Sequence, residues 1–294
     1  MKIVRQRVDG VLLLNKPVGL TSNAALQKAK WLLAALKAGH TGTLDPFADG
    51  LLPLCFGEAT KFSAFLLDSN KRYRATLRLG VVTATGDPEG AVLAERPVAA
   101  DCEAVEGVLA RFVGEIEQIP PMHSALKHQG RPLYEYARAG IEIDRPPRRV
   151  RITALDLIEC TPPRVVLDVQ CSAGTYVRTL AQDIGAALGC GAHLTGLTRT
   201  AAGGFALARA CDLATLESLP PDERRALLLP PDSLLGHLPA AHVDAAAAAA
   251  LRQGRAVASA ETPDGLLRLY APAGFLGLGR AEAGRLAPHR LTAA

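Results

Sequence analysis

A mixed α+β fold follows from two periodicities that coexist in this sequence. Arg72 to Gly80 alternates strictly, with Tyr73, Ala75, Leu77 and Leu79 on one face and Arg72, Arg74, Thr76 and Arg78 on the other, as a half-buried strand does. Val177, Leu180, Ala181, Ile184 and Leu188 instead recur at helical spacing up to Gly189. With 294 residues, 49% hydrophobic and 21% charged, the chain has material for one large domain and a small second one.

The elements follow in order. Gly10 to Leu14 reads as a buried strand, ending in a turn from Asn15 to Gly19 that projects Lys16. Thr21 and Ser22 offer caps for a helix over 23–38, which Gly39 stops, and 39–50 is a loop. Val105, Val108, Leu109, Phe112 and Val113 predict a further helix, halted by Pro120-Pro121. Arg145 to Arg151 places four arginines around two prolines. Arg164 to Cys171 is a strand that passes through Ser172-Ala173-Gly174-Thr175 into the helix of residues 177–188. Near residue 230 the texture changes to Leu228-Leu229-Pro230-Pro231, an alanine-rich stretch over 240–250 and short strands at 266–270 and 275–279. A boundary there divides the chain into 1–230 and 231–294.

The net charge of +4 and pI near 8.8 permit a polyanionic partner without requiring one. Six scattered cysteines with no C-x-x-C pair argue against a zinc site or a disulfide framework and predict reduced core thiols. The start, Met1-Lys2-Ile3-Val4-Arg5, lacks a secretory apolar run, and no stretch approaches the roughly 20 apolar residues of a membrane span, so a cytoplasmic protein is expected.

Asp45 is the candidate catalytic group. It stands in Gly39-His40-Thr41-Gly42-Thr43-Leu44-Asp45-Pro46, where flanking glycines and Pro46 can present its carboxylate at a cleft mouth. By local spacing alone, an Asp-Pro after a glycine is an ordinary turn. The whole run from Gly39 to Lys61, GHTGTLDPFADGLLPLCFGEATK, resembles the signature segment of the TruB family of tRNA pseudouridine synthases. Further blocks occur in the family's order: Leu14 to Ser22, Lys71 to Ala75, Cys171 to Thr179 and Gly189 to Leu194. Together the likeness covers roughly residues 8 to 215. Phe47 and Asp49 depart from it, and Asp49 adds a second carboxylate near the candidate site.

The resemblance implies a catalytic domain around a mainly antiparallel sheet and a small β-rich PUA-like C-terminal domain. The implied reaction isomerises uridine 55 in the T arm of tRNA without a cofactor or a metal, on a base flipped out of the RNA at a cost of a few kcal/mol. Neither a nucleotide-binding glycine fingerprint nor a metal-ligand cluster occurs in the sequence. A carboxylate suits the role of nucleophile, because with a reference pKa of about 3.9 it is ionised at neutral pH without a partner base. Attack on uracil C6 and on ribose C1′ both remain open.

By the same resemblance Arg178 pairs with Asp45, Tyr73 stacks on the uracil, Tyr176 and Leu197 wall the pocket, and His40 sits at the RNA stem. Lys16, Lys61, Lys71, Arg72, Arg74, Arg78 and the 145–151 arginines are candidates for phosphate contact. Pro120 to Lys127 resembles the block beside the RNA cleft, and Leu133 to Arg138 a helix of an insertion that closes on RNA. A monomer acting without guide RNA is expected, and the block around Leu197 favours it over the guide-dependent branch. A noncatalytic RNA chaperone is the reading of a different class; Asp45, Tyr73 and Arg178 together argue against pure binding.

Overall fold

The structure is a computed structural model that describes residues 4–259 and 263–293. The first half runs β1 (Gly10–Lys16), α1 (Ser22–Leu32), β2 (Ala38–His40), β3 (Asp49–Phe56), α2 (Ser63–Leu67), β4 (Lys71–Leu79), β5 (Val81–Thr83), β6 (Val92–Glu95), α3 (Cys102–Leu109) and β7 (Gly114–Gln118). A hairpin of β8 (Lys127–His128) and β9 (Arg131–Pro132), then α4 (Leu133–Arg138), precede β10 (Arg148–Thr161), β11 (Arg164–Cys171), α5 (Val177–Ala187) and β12 (Ala192–Ala202). The chain continues with β13 (Phe205–Ala206), β14 (Cys211–Asp212), α6 (Leu213–Ser218) and α7 (Pro221–Ala226). It then forms β15 (Ala240–His242), α8 (Ala245–Arg252), β16 (Val257–Ala258), β17 (Gly265–Ala271), β18 (Gly274–Glu282) and β19 (Arg285–Leu291).

The main sheet has the order β14-β1-β3-β12-β4-β11-β10-β7, with β13 beside β12 and β2 beside β3. Only the β1–β14 and β12–β3 pairings are parallel, so the expected mainly antiparallel sheet is present. The alternation read in Arg72 to Gly80 is realised in β4, where Ala75, Leu77 and Leu79 are buried and Arg72, Arg74 and Arg78 exposed. One sheet face packs on α1, α3, α5 and α6 through Leu12, Leu54, Leu77, Val105, Leu180 and Leu216. The other carries a smaller cluster in which Val11, Leu51 and Phe62 meet Leu234, Leu235 and Leu278. The edge contact of the Phe62 and Phe275 rings, 5.5 Å between centroids, joins this cluster to the five-stranded sheet β15-β17-β18-β19-β16.

Several local expectations need correction. The first helix stops at Leu32 rather than 38: Ala34 takes a left-handed φ of 51°, and Ala38–His40 enters the sheet against β3. Helix propensity across 33–38 is thereby overridden by strand pairing, and Gly39 lies within β2. The helix at 102–109 ends in one 3₁₀ turn, and Gly114 (φ 109°) starts β7 before Pro120 is reached.

The reduced-thiol expectation fails for one pair. Cys102 opens α3 and Cys160 lies late in β10; packing of α3 across that strand brings their Cα atoms to 5.8 Å, and the two form a disulfide. They are 58 residues apart in sequence, so only tertiary packing reveals them as partners. Cys55, Cys171 and Cys190 are buried free thiols and Cys211 is a partly exposed one. No helix among the described residues is long and apolar enough to cross a membrane.

Candidate active site

The loop between β2 and β3 is fixed at both ends before its carboxylate is presented. Ser22, at the start of α1, donates from Oγ to the Leu44 carbonyl (3.0 Å) and accepts from the Leu44 amide (2.8 Å). The Gly19 amide donates to the Pro46 carbonyl (2.8 Å), and the Ala48 amide to that of Asp45 (3.1 Å). Beyond the loop, Gly50 takes φ 99°, and a Cβ there would lie 2.5 Å from the Arg199 carbonyl oxygen, so only glycine lets β3 run this close to β12. Asp45 thus projects from a braced turn, with about a third of its side chain open to solvent.

Arg178 meets it from the first turn of α5. Its Nε lies 2.9 Å from Asp45 Oδ2 and its Nη2 3.3 Å from Oδ1, a forked contact across 133 residues of sequence. The guanidinium is almost wholly buried. It also donates to the carbonyls of His123 (2.7 Å) and Thr85 (3.2 Å) and approaches Asp87 Oδ2 at 3.6 Å. A single arginine therefore serves two carboxylates and two carbonyls, which locks its own rotamer and through it the orientation of Asp45.

Burial raises the Asp45 carboxyl above the usual aspartate value of 3.8. Arg178 opposes the rise, Asp87 adds to it and Lys16 again opposes it. If the ionised form is the active one, activity is lost as pH falls through this raised value. The acidic limb of a kcat/KM profile is therefore expected above 3.8, and removal of Arg178 moves it further up. An acidic limb that Arg178→Met leaves in place would count against the pairing's electrostatic role.

Tyr73 lies on β4, half-buried against the main core, and burial raises its phenol above the ordinary value. Tyr176 immediately precedes α5, its backbone bracketed by Gln118: the Tyr176 amide donates to Oε1 (3.0 Å) and Nε2 donates to the Tyr176 carbonyl (3.3 Å). Leu197, on β12 opposite Ala75, is buried. His40 ends β2; its Nδ1 is buried with no hydrogen-bond partner among the described residues, and burial, then Arg199, lowers its pKa. Arg178 pairs with Asp45 directly, and Tyr73 and Tyr176 lie close enough to feel its charge, whereas His40 stands at the end of β2 and Leu197 midway along β12.

Lys16 is placed differently from the sequence expectation. It does not project from a turn: it is fully buried as the last residue of β1, and its Nζ donates to the carbonyls of Pro17 (2.8 Å) and Leu20 (2.7 Å). Desolvation lowers its pKa to about 8, against the pull of Asp49 and Asp45. Lys71 is likewise buried, donating to the carbonyls of Leu66, Leu67 and Ser69 at the end of α2. Both lysines satisfy backbone carbonyls, which removes them from the candidates for phosphate contact. Lys61 bonds Glu58 (2.7 Å) and the Leu291 carbonyl (3.0 Å), while Arg74 and Arg78 stay exposed on β4.

Asp87, Arg199, Gln118 and the His123 carbonyl also build this site and were not singled out from the sequence. Asp87 sits in a turn, Thr85-Gly86-Asp87, that resembles any other turn, and Arg199, two residues beyond Leu197 on β12, carries no local signature.

The comparisons with known proteins agree with this fold. The chain superposes on the crystal structure of a Cbf5-Nop10-Gar1 complex with a TM-score of 0.71 at 27% identity, covering 97% of this chain and 84% of that one. The crystal structure of the archaeal box H/ACA sRNP Nop10-Cbf5 complex gives 0.69 at 25%, covering 96% and 85%. The fold is thus that of a pseudouridine synthase. Residues 30–177 match the family model for the TruB family pseudouridylate synthase N-terminal domain, 178–236 a tRNA pseudouridylate synthase B C-terminal domain, and 239–292 a pseudouridine synthase II TruB C-terminal domain. The chain is 71% identical to a tRNA pseudouridine synthase B of Thiobacillus denitrificans, covering 100% of this chain and 99% of that protein. It is 57% identical to one of Azoarcus sp., covering 99% and 97%. The chain belongs to the TruB family, enzymes that isomerise uridine within RNA.

Proposed function

We propose that this enzyme converts uridine 55 in the T arm of tRNA to pseudouridine, with Asp45 as nucleophile on a flipped-out base. The C1′–N1 bond breaks, a C1′–C5 bond forms, and the proton lost from C5 is balanced by one gained at N1, so nothing is added or removed. The observation that carries this reading is the forked Arg178–Asp45 contact, which holds an ionisable carboxylate half-desolvated yet open on one side. Tyr73 stacks on the uracil, which is worth roughly 1–3 kcal/mol, Tyr176 and Leu197 wall the pocket, and His40 faces the RNA stem. Lys16 supports the loop from inside. Residues 1–230 carry the chemistry and 231–294 form a PUA-like module. The segment around α4 closes on the RNA; the protein is a cytoplasmic monomer that needs no guide RNA.

The test is to incubate purified protein with unmodified tRNA transcript and map pseudouridine, expecting product at the T-arm uridine alone. Tight binding without any product favours an RNA chaperone instead. The exposed and buried cations separate in the same material. Arg74→Gln is expected to reduce the slope of log affinity against log salt by about 1, as loss of one phosphate contact does. Lys16→Met should leave that slope unchanged and cost about 1–3 kcal/mol in stability, because two carbonyls lose their donor. A salt slope that Lys16→Met flattens would contradict the buried placement.

A further inference from the structure

We infer that Arg199 is a positioning residue for pseudouridine formation: one buried guanidinium that ties the Asp45 loop to β3 and stands against Tyr73 across the strand pair. The inference rests on the reading of Asp45 and Tyr73 as the reacting site. Arg199 is among the largest fully buried side chains of the protein, 1% exposed. Its Nε donates to the Leu51 carbonyl (2.7 Å) on β3, and its Nη2 to the Gly42 carbonyl (3.3 Å), three residues before Asp45.

The strand register supplies the third tie. Arg199 on β12 stands directly opposite Tyr73 on β4, so the two side chains share a face of the sheet, and the pairing slips immediately afterwards between Arg199 and Ala201. On its other side Arg199 pairs with Gly50 of β3, whose missing Cβ permits the approach. Burial raises the Tyr73 phenol, and the Arg199 charge beside it works against that rise.

This arrangement is costly if it only fills space. Its two hydrogen bonds to β3 and the Asp45 loop go to neutral carbonyls rather than to a carboxylate, and the charge also disfavours the protonated forms of Lys16, Lys71 and His40 nearby. Burying an unneutralised cation beside three further basic groups opposes folding. The return is geometric. The nucleophile's loop and the stacking ring come from segments about 30 residues apart, and one arginine bonds the first and packs opposite the second.

Single-turnover rates on unmodified tRNA transcript, with tRNA affinity measured in parallel, test this in Arg199→Met, Arg199→Lys, Tyr73→Phe and the Tyr73→Phe/Arg199→Met double variant. The rate constant should fall about 100-fold in Arg199→Met, the scale of an ångström-sized misplacement, while tRNA affinity is unchanged. Arg199→Lys should recover part of the rate, since an ammonium keeps the charge but not the fork. The double variant should be slower than Tyr73→Phe by much less than 100-fold, because effects through a shared partner do not multiply. Wild-type rates in Arg199→Met, loss confined to tRNA affinity, or losses that multiply in the double variant would each overturn the inference. If Arg199→Met fails to fold, Arg199→Lys bears the same comparison, and a wild-type rate there overturns it. A wild-type protein that makes no pseudouridine would instead reject the proposed reaction, and the positioning role with it.

Discussion

Asp45→Asn is expected to lower the rate of pseudouridine formation by a factor on the order of 10⁴ or more, the scale on which loss of a nucleophile is felt. The substitution is nearly isosteric, and the loop stays braced by the Ser22 contacts to Leu44 and by the Gly19–Pro46 bond. Arg178 keeps its two carbonyl partners and Asp87, so the guanidinium is not left without compensation. Folding and tRNA affinity should therefore survive while the chemistry stops. A single-turnover assay with parallel binding measurements checks this, and a variant that works at the wild-type rate removes Asp45 from the mechanism.

Arg178→Met carries the second large effect, and it acts on both rate and stability. The substitution leaves Asp45 and Asp87 without their shared cation and deprives the Thr85 and His123 carbonyls of a donor. Breaking a buried charge pair from one side costs about 3–5 kcal/mol, which denaturant unfolding would register. The rate should fall by about 10² or more as Asp45 loses its orientation. Arg178→Lys should lie between, because a lysine cannot reproduce the fork. Wild-type stability together with a wild-type rate in Arg178→Met would mean that the contact contributes to neither.

The parts of the fold legible in the sequence are those set by local pattern. β4 and α5 could be read because their periodicities of two and 3.6 extend over several turns or pleats. The end of α1 could not, since residues 33–38 have helical propensity and are claimed instead by pairing with β3. Arg178 was connected to Asp45 through block resemblance, as spacing says nothing about partners 133 residues apart. Lys16 was misplaced because a lysine after an apolar strand looks solvent-bound, whereas here the chain bends so that two carbonyls converge on its ammonium. Asp87, Arg199 and the Cys102–Cys160 disulfide have no local signature at all; each is defined by what packs beside it.

The outer strand β7 bears on how copies of this protein behave toward one another. It closes one end of the ten-stranded sheet, where a row of backbone donors and acceptors could template a neighbour's strand. Its five residues begin at a glycine with φ 109°, and Glu115 and Glu117 lie across from Arg149 and Arg151 at 3.4 to 4.0 Å. Strand addition there would have to dehydrate this charged border and find a partner of matching length and sign. A short edge bordered by charge in this way disfavours pairing with another copy's strand.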